Sequence, residues 1–98
     1  MPTWTMKVAG VTFEGREVVV RKLKIGEELT LVREPTNKYD PNAVQIVSRI
    51  GQIGYIPRAD AAWIAPLMDN GTSFSAVIGE MLDLYSRYPK VLVEVTQN

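Results

Sequence analysis

The chain contains no cysteine and no histidine. Without cysteine it can form no disulfide and offers no thiolate to a metal. Without histidine it lacks the commonest general base and the commonest transition-metal ligand. Catalysis would have to rest on carboxylates, lysine, tyrosine and hydroxyl groups alone. We therefore expect a non-catalytic protein that uses no cofactor and no bound metal.

Long apolar segments are missing as well. No apolar run approaches the roughly 20 residues of a membrane span, and the N-terminus lacks the apolar core of a signal peptide. We expect a cytoplasmic protein that does not bind membranes. The 98 residues, 46% of them hydrophobic, predict one packed domain over residues 1–98.

An excess of one charge is also absent, because 11 basic residues balance 11 acidic ones. This balance argues against tight non-specific binding along duplex phosphates. The charges are nevertheless unevenly distributed, with a net +3 over residues 1–58 and a net −3 over residues 59–98. This asymmetry either steers a polyanion to one face or is the chance imbalance of a small domain.

Alternating apolar and polar residues predict β-strands along most of the chain. The predicted strands cover residues 3–8, 28–33, 43–49, 53–56, 74–85 and 91–95, with a hairpin turn at 50–52 and a bulge or bend at Gly79. Their short, regular spacing predicts a mainly β fold, a six-stranded OB-like β-barrel with one main α-helix.

The segments before and after the central strands each fit more than one local structure. Either Gly10 forms a bulge or the ring of Phe13 points away from the core, since the apolar phase slips between them. The basic segment 16–25 fits a strand or a short helix, and its charges fit a solvated face or a phosphate contact. Helical spacing begins at Arg58 and ends near Gly71, and Pro66 predicts a kink or two short helices.

The segment 34–43 predicts a rigid loop between two strands. Its two prolines exclude a continuous helix or central strand, and Asn37, Asp40 and Asn42 can fold turns by bonding nearby backbone groups. Glu34 and Asp40 form a candidate carboxylate pair for hydrolysis or a hard cation, although acidic residues beside proline turns usually cap backbone donors.

Aromatic and charged residues beside this loop favour binding over catalysis. Tyr39 and Tyr55 can stack on nucleobases, and Arg58 at a helix start can hold a phosphate. Half-buried packing is the alternative for each tyrosine. The carboxylate of Asp40 repels phosphate but accepts a hydrogen bond from a hydroxyl group, which the end of a strand presents.

Three motifs in this order carry a resemblance to the HIRAN domain family: Val-Ala-Gly-Val at 8–11, Asn-Lys-Tyr-Asp-Pro-Asn-Ala at 37–43, and Gly-Tyr-Ile-Pro-Arg at 54–58. The resemblance covers almost the whole chain. It implies an OB-like module that grips the 3′ end of single-stranded DNA in DNA repair or replication-fork processing. A helicase or nuclease is the candidate protein partner.

The resemblance also implies residue roles. Tyr39 packs on the terminal nucleotides, Asp40 meets the 3′-hydroxyl, and Asn37 supports the loop. Phe13 supplies a second stacking surface, and Arg58 contacts phosphate.

This sequence departs from the eukaryotic members at two positions. Thr12 stands where they carry a basic residue, and Tyr55 stands where they carry histidine. Both differences remove potential phosphate contacts. A free-standing protein-interaction or adaptor domain that has lost DNA binding is therefore the alternative function.

Overall fold

The computed structural model of the protein describes residues 1–98 and contains six antiparallel β-strands and two α-helices. In chain order these are β1 (Thr3–Lys7), α1 (Arg16–Val20), β2 (Glu28–Arg33), β3 (Val44–Ser48), β4 (Gly51–Tyr55), α2 (Arg58–Asp69), β5 (Phe74–Leu82) and β6 (Lys90–Gln97). The strands lie in one curled sheet in the order β1-β6-β5-β2-β3-β4. The predicted mainly β, six-stranded OB-like fold is confirmed.

The two edges of the sheet meet at a single bridge. The amide of Ala9 donates to the carbonyl of Tyr55, and the amide of Tyr55 donates to the carbonyl of Ala9, each at 2.9 Å. Gly54 permits this approach, because a Cβ there would lie 2.3 Å from the Ala9 carbonyl oxygen. The sheet is thereby curled into a barrel-like form, and the loops at the bridge are brought together.

The core lies inside the curl of the sheet. Its alternating pattern is clearest in β6, where Val91, Val93 and Val95 are fully buried. The helix α2 adds Ile64 and two alanines, and α1 adds Val20. Each large aliphatic side chain buried in this way stabilises the fold by roughly 1.5–3 kcal/mol.

The segment between β1 and β2 resolves both open alternatives. The chain leaves β1 at Lys7 and turns at Gly10, whose φ is +75°, so no strand continues past a bulge. Phe13 points outward with 63% of its surface exposed. The basic segment begins with the helix α1 and contains no strand; Val20 at the end of α1 and Leu23 just after the following turn are both buried.

The helix α2 corrects one prediction. It runs continuously from Arg58 to Asp69 through Pro66, so the division into two helices is wrong. Pro66 stands in the last turns, where its missing N–H removes a single helical hydrogen bond. Gly71 follows the end of the helix at the C′ position, as predicted; its amide donates to Met68 O at 3.0 Å, and Thr72 N donates to Leu67 O at 2.9 Å.

Strand boundaries differ from the prediction by a few residues. The register of β5 against β6 shifts between Ile78 and Glu80, which confirms the bulge at Gly79. The strand then stops at Leu82, three residues early, because Asp83 adopts a φ of +52°. The β3–β4 turn occupies Arg49 and Ile50, one residue before the predicted position. Neither helix has the length and apolar character that a membrane crossing requires.

Candidate functional site

The loop between β2 and β3 is folded by its own side chains. The Asn37 Oδ1 accepts hydrogen bonds from the amides of Tyr39 at 2.8 Å and Asp40 at 3.0 Å. The Asp40 Oδ1 accepts one from the Asn42 amide at 2.9 Å. These local bonds fix the turn and present the Tyr39 ring to solvent, with 77% of the residue exposed.

Glu34 joins this loop to β4. Its Oε1 accepts a hydrogen bond from the Asn37 side-chain amide at 2.6 Å and another from the Tyr55 hydroxyl at 3.0 Å. The carboxylate that the sequence offered as half of a hydrolytic pair therefore ties the loop to the strand that closes the barrel. Tyr55 is fixed by the same contact, so its ring forms a wall of the site.

Arg33 holds the loop in place through hydrogen bonds to its backbone, a role that the sequence analysis missed. Its Nη1 donates to the Ala43 carbonyl at 2.9 Å and its Nη2 to the Pro41 carbonyl at 3.1 Å. The same guanidinium donates to both oxygens of Asp69, at 2.9 Å and 3.1 Å. Hydrogen bonding between the two side chains is the main reason why the pKa of Asp69 is lowered and the pKa of Arg33 is raised. A signal existed, because Arg33 alternates in phase with the inward-facing Leu29 and Leu31.

The six residues predicted from the sequence line two adjoining concavities. Phe13 lines the larger one, of about 580 Å³, and Asp40 and Arg58 line the smaller one, of about 280 Å³. Asn37, Tyr39 and Tyr55 line both. We call the two concavities together the loop groove. The structure therefore brings all six side chains to one surface.

The charges in the loop groove are mixed. Asp40 is half-buried, and its Oδ2 lies 3.9 Å from Nε of Arg58, whose side chain is 80% exposed. Such a long, solvated ion pair contributes little and leaves both groups free to meet a ligand. Glu14 and Glu34 add carboxylates to the wall of the larger concavity, and Lys38 adds an ammonium group.

Arg16 is the second residue that the sequence analysis missed. It belongs to the segment whose charges fit either a solvated face or a phosphate contact, and only 9% of it is exposed, so it is not part of a solvated face. Its guanidinium carbon lies 5.6 Å from the centre of the Phe13 ring and 5.3 Å from that of Tyr55. No periodicity in the sequence could have found this position, because Tyr55 reaches it only through the closure of the barrel.

The loop groove thus combines exposed aromatic rings, an accessible carboxylate and arginine side chains. Rings of this kind stack on flat, unsaturated ligands, and guanidinium groups bind anions. The chain has no group of three or more aspartate, glutamate, histidine or cysteine side chains placed to hold a metal ion.

Known structures share this architecture. The HIRAN domain of human HLTF superposes with a TM-score of 0.74 at 22% identity, covering 97% of this chain and 74% of that one. The same domain in its DNA-bound conformation gives a TM-score of 0.67 at 20% identity, covering 97% and 73% of the two chains. A protein from Lactobacillus plantarum gives 0.77 at 25% identity, covering 96% and 92%.

Sequence comparison agrees with the structural one. A putative SWI/SNF-related matrix-associated actin-dependent regulator of chromatin, subfamily A member 3-like 1, from Arabidopsis thaliana is 47% identical over 47 residues. That match covers 47% of this chain and only 5% of the plant protein. The model of the HIRAN domain family matches residues 3–96, nearly the whole chain. The chain therefore belongs to the HIRAN domain family.

Proposed function

We propose that this domain binds single-stranded DNA and recognises its 3′-hydroxyl end. The observation that carries the proposal is the pairing, on one rigid loop, of the exposed Tyr39 ring with the half-buried carboxylate of Asp40. The ring offers a stacking surface to the last base. The carboxylate accepts a hydrogen bond from a hydroxyl and repels a phosphate, which is the discrimination that end recognition needs.

The contacts of Asp40 support this division of labour. One oxygen, Oδ1, accepts the Asn42 amide and so maintains the turn. The other, Oδ2, faces Arg58 at 3.9 Å, beyond hydrogen-bond distance. A 3′-hydroxyl can bond to Oδ2 without displacing any contact that folds the loop. Arg58 then lies beside the terminal nucleotide, where its charge attracts the backbone phosphate.

The rest of the loop groove accommodates the neighbouring nucleotides. Phe13, exposed over 63% of its surface, lines the larger concavity together with residues 37–39 of the loop. Stacking on such a ring contributes roughly 1–3 kcal/mol per base and tolerates any sequence. Likeness to the DNA-bound conformation of the HLTF domain supports a nucleic-acid ligand for this fold. The proposal extends to DNA repair or replication-fork processing, where free 3′ ends arise.

The test compares labelled single strands that end in a 3′-hydroxyl or a 3′-phosphate, using fluorescence anisotropy at low and moderate salt. We expect the wild type to prefer the hydroxyl end about tenfold or more, because hydrogen bonds to charged groups contribute about 1.5–3 kcal/mol. Asp40→Asn keeps an oxygen for the Asn42 amide, and it should lose most of this preference. Tyr39→Ala should weaken binding to both strands.

Asp83→Asn is the matched control. Asp83 has a similar ion pair, 3.9 Å from Nζ of Lys90, but lies in the β5–β6 loop outside the loop groove. It should bind both strands as the wild type does. An Asp40→Asn variant that still discriminates the two ends would refute end recognition through this carboxylate.

A protein-interaction role for the same groove is the second candidate function. It is favoured by the carboxylates of Glu14 and Glu34 in the wall and by Thr12, which brings no charge to the groove. Phosphate contacts weaken steeply with salt, whereas an apolar protein interface does not. Failure of the wild type to retain any single strand even at low salt would favour this role.

A further inference from the structure

Arg16 carries a nearly buried positive charge that no carboxylate neutralises. The ion pairs of the chain join carboxylates to Arg33, Arg49, Arg58 and Lys90, and none involves Arg16. Removing a charged group from water costs several kcal/mol unless a partner compensates. An arginine that is only 9% exposed and lacks such a partner points to an anion that arrives from outside the chain.

The guanidinium is held in a fixed orientation. Its Nη1 donates to the Gly10 carbonyl at 3.0 Å, and the rings of Phe13 and Tyr55 lie beside it. The site is built closely around it, because a Cβ on Gly10 would lie 3.1 Å from Nη1. A group that is already ordered loses less entropy on binding than a free surface arginine would.

The remaining donors of Arg16 face the loop groove. A guanidinium has five N–H donors, and one hydrogen bond from Arg16 satisfies only one of them. The chain has one side-chain polar atom that is sealed from solvent without a partner, and it belongs to Glu17. The other nitrogens of Arg16 therefore reach solvent, and they do so in the larger concavity that Arg16 lines.

We propose that Arg16 binds an internal phosphodiester of the single strand whose 3′ end lies at Asp40; this inference rests on the proposed function. Asp40 lines the smaller concavity and Arg16 the larger, so a strand that ends in one carries its inner phosphates into the other. A planar guanidinium matches two phosphate oxygens at once. Two carboxylates share this wall, and the repulsion of each is moderated. Glu34 has an oxygen covered by donors from Asn37 and Tyr55, and Glu14 is exposed, so that solvent and salt screen it.

The test is a scan of single methylphosphonate linkages through the last few positions of a labelled 3′-hydroxyl strand. A methylphosphonate removes one backbone charge and leaves the bases unchanged. We expect one linkage to weaken wild-type binding about tenfold or more, as loss of a charge-assisted hydrogen bond predicts. In Arg16→Gln, which keeps a donor for the Gly10 carbonyl, that linkage should no longer matter. The slope of log affinity against log salt should also fall by about 0.7.

Arg21→Gln is the matched control. Arg21 also lies over a tyrosine, 5.4 Å from the Tyr85 ring centre, and donates to the Leu84 carbonyl, but it does not line the loop groove. Its loss should leave the sensitive linkage as in the wild type. If Arg16→Gln does not fold, Arg16→Lys replaces it and should keep the sensitive linkage at a reduced cost.

The outcomes separate this inference from the function on which it rests. A wild type that binds no single strand overturns both. If the wild type binds, but each methylphosphonate linkage weakens the wild type and the Arg16 variant by the same factor, only the role of Arg16 is overturned. A merely structural Arg16 would weaken binding without changing the salt slope or the linkage pattern.

Discussion

Replacing Arg33 with methionine should destabilise the loop between β2 and β3. Methionine keeps the apolar part of the side chain but donates no hydrogen bonds to the loop. Arg33 donates two hydrogen bonds to loop carbonyls, those of Ala43 and Pro41, in addition to its contacts with Asp69. Its side chain is only 15% exposed, and its bond to the Ala43 carbonyl is partly buried, whereas its bond to the Pro41 carbonyl lies at the surface.

The magnitude follows from these contacts. Charge-assisted hydrogen bonds contribute about 1.5–3 kcal/mol each, and the lower value is appropriate near a surface. Two bonds to carbonyls therefore predict a loss of about 3 kcal/mol in the free energy of unfolding. For a domain of this size this corresponds to a fall in Tm of roughly 12–24 °C.

Arg49→Met provides the matched comparison. Arg49 also pairs with a carboxylate, Glu27 at 3.1 Å, and lies near a carbonyl, but its side chain is 60% exposed. Exposed pairs of this kind contribute about 0–1 kcal/mol. Urea unfolding of both variants, with the m-value checked against the wild type, measures the two losses. The reasoning would be refuted if Arg33→Met lost less than about 1 kcal/mol, or no more than Arg49→Met.

Three further predictions follow from single contacts. The pKa of Asp69 is lowered in the folded state because the ionised carboxylate pairs with Arg33. The stability that this pairing contributes is fully present above the ordinary carboxyl pKa of 3.8, and it is lost as the pH falls through the lowered pKa. The difference in urea midpoint between wild type and Asp69→Asn should therefore be constant near neutral pH and shrink below pH 3.8; a difference that grew in acid would contradict this sign. Gly54→Ala should destabilise the domain by about 3 kcal/mol or more, since its Cβ would meet the Ala9 carbonyl at 2.3 Å and break both bridge hydrogen bonds. Gly71→Ala, at a φ of +94° with open space around it, should lose only about 1–2 kcal/mol in the same urea experiment, and equal losses would show that the clash is not the cause.

The residues of the site differ in how local their contacts are, and this decided what could be predicted. Asn37 and Asp40 bond to amides two or three residues away, so turn chemistry alone predicted that their side chains fold the loop. The position of Gly71 just after the end of α2 was likewise predictable from a local motif. Tyr55 was predicted to belong to the site. The hydrogen bond from its hydroxyl to Glu34 was not predicted, because the two residues are 21 positions apart.

The sequence alone determined the strand pattern, the rigid loop and the family, because these depend on side-chain alternation, on turn-forming residues and on motif order. Tertiary structure alone decided what Arg33 and Arg16 do. Asp69 is 36 positions from Arg33, and the Tyr55 ring comes to lie beside Arg16 only through the bridge between Ala9 and Tyr55. A long, flexible arginine side chain can pair with many different groups, so the sequence does not specify its partner. The closure of the sheet decides which group lies within its reach.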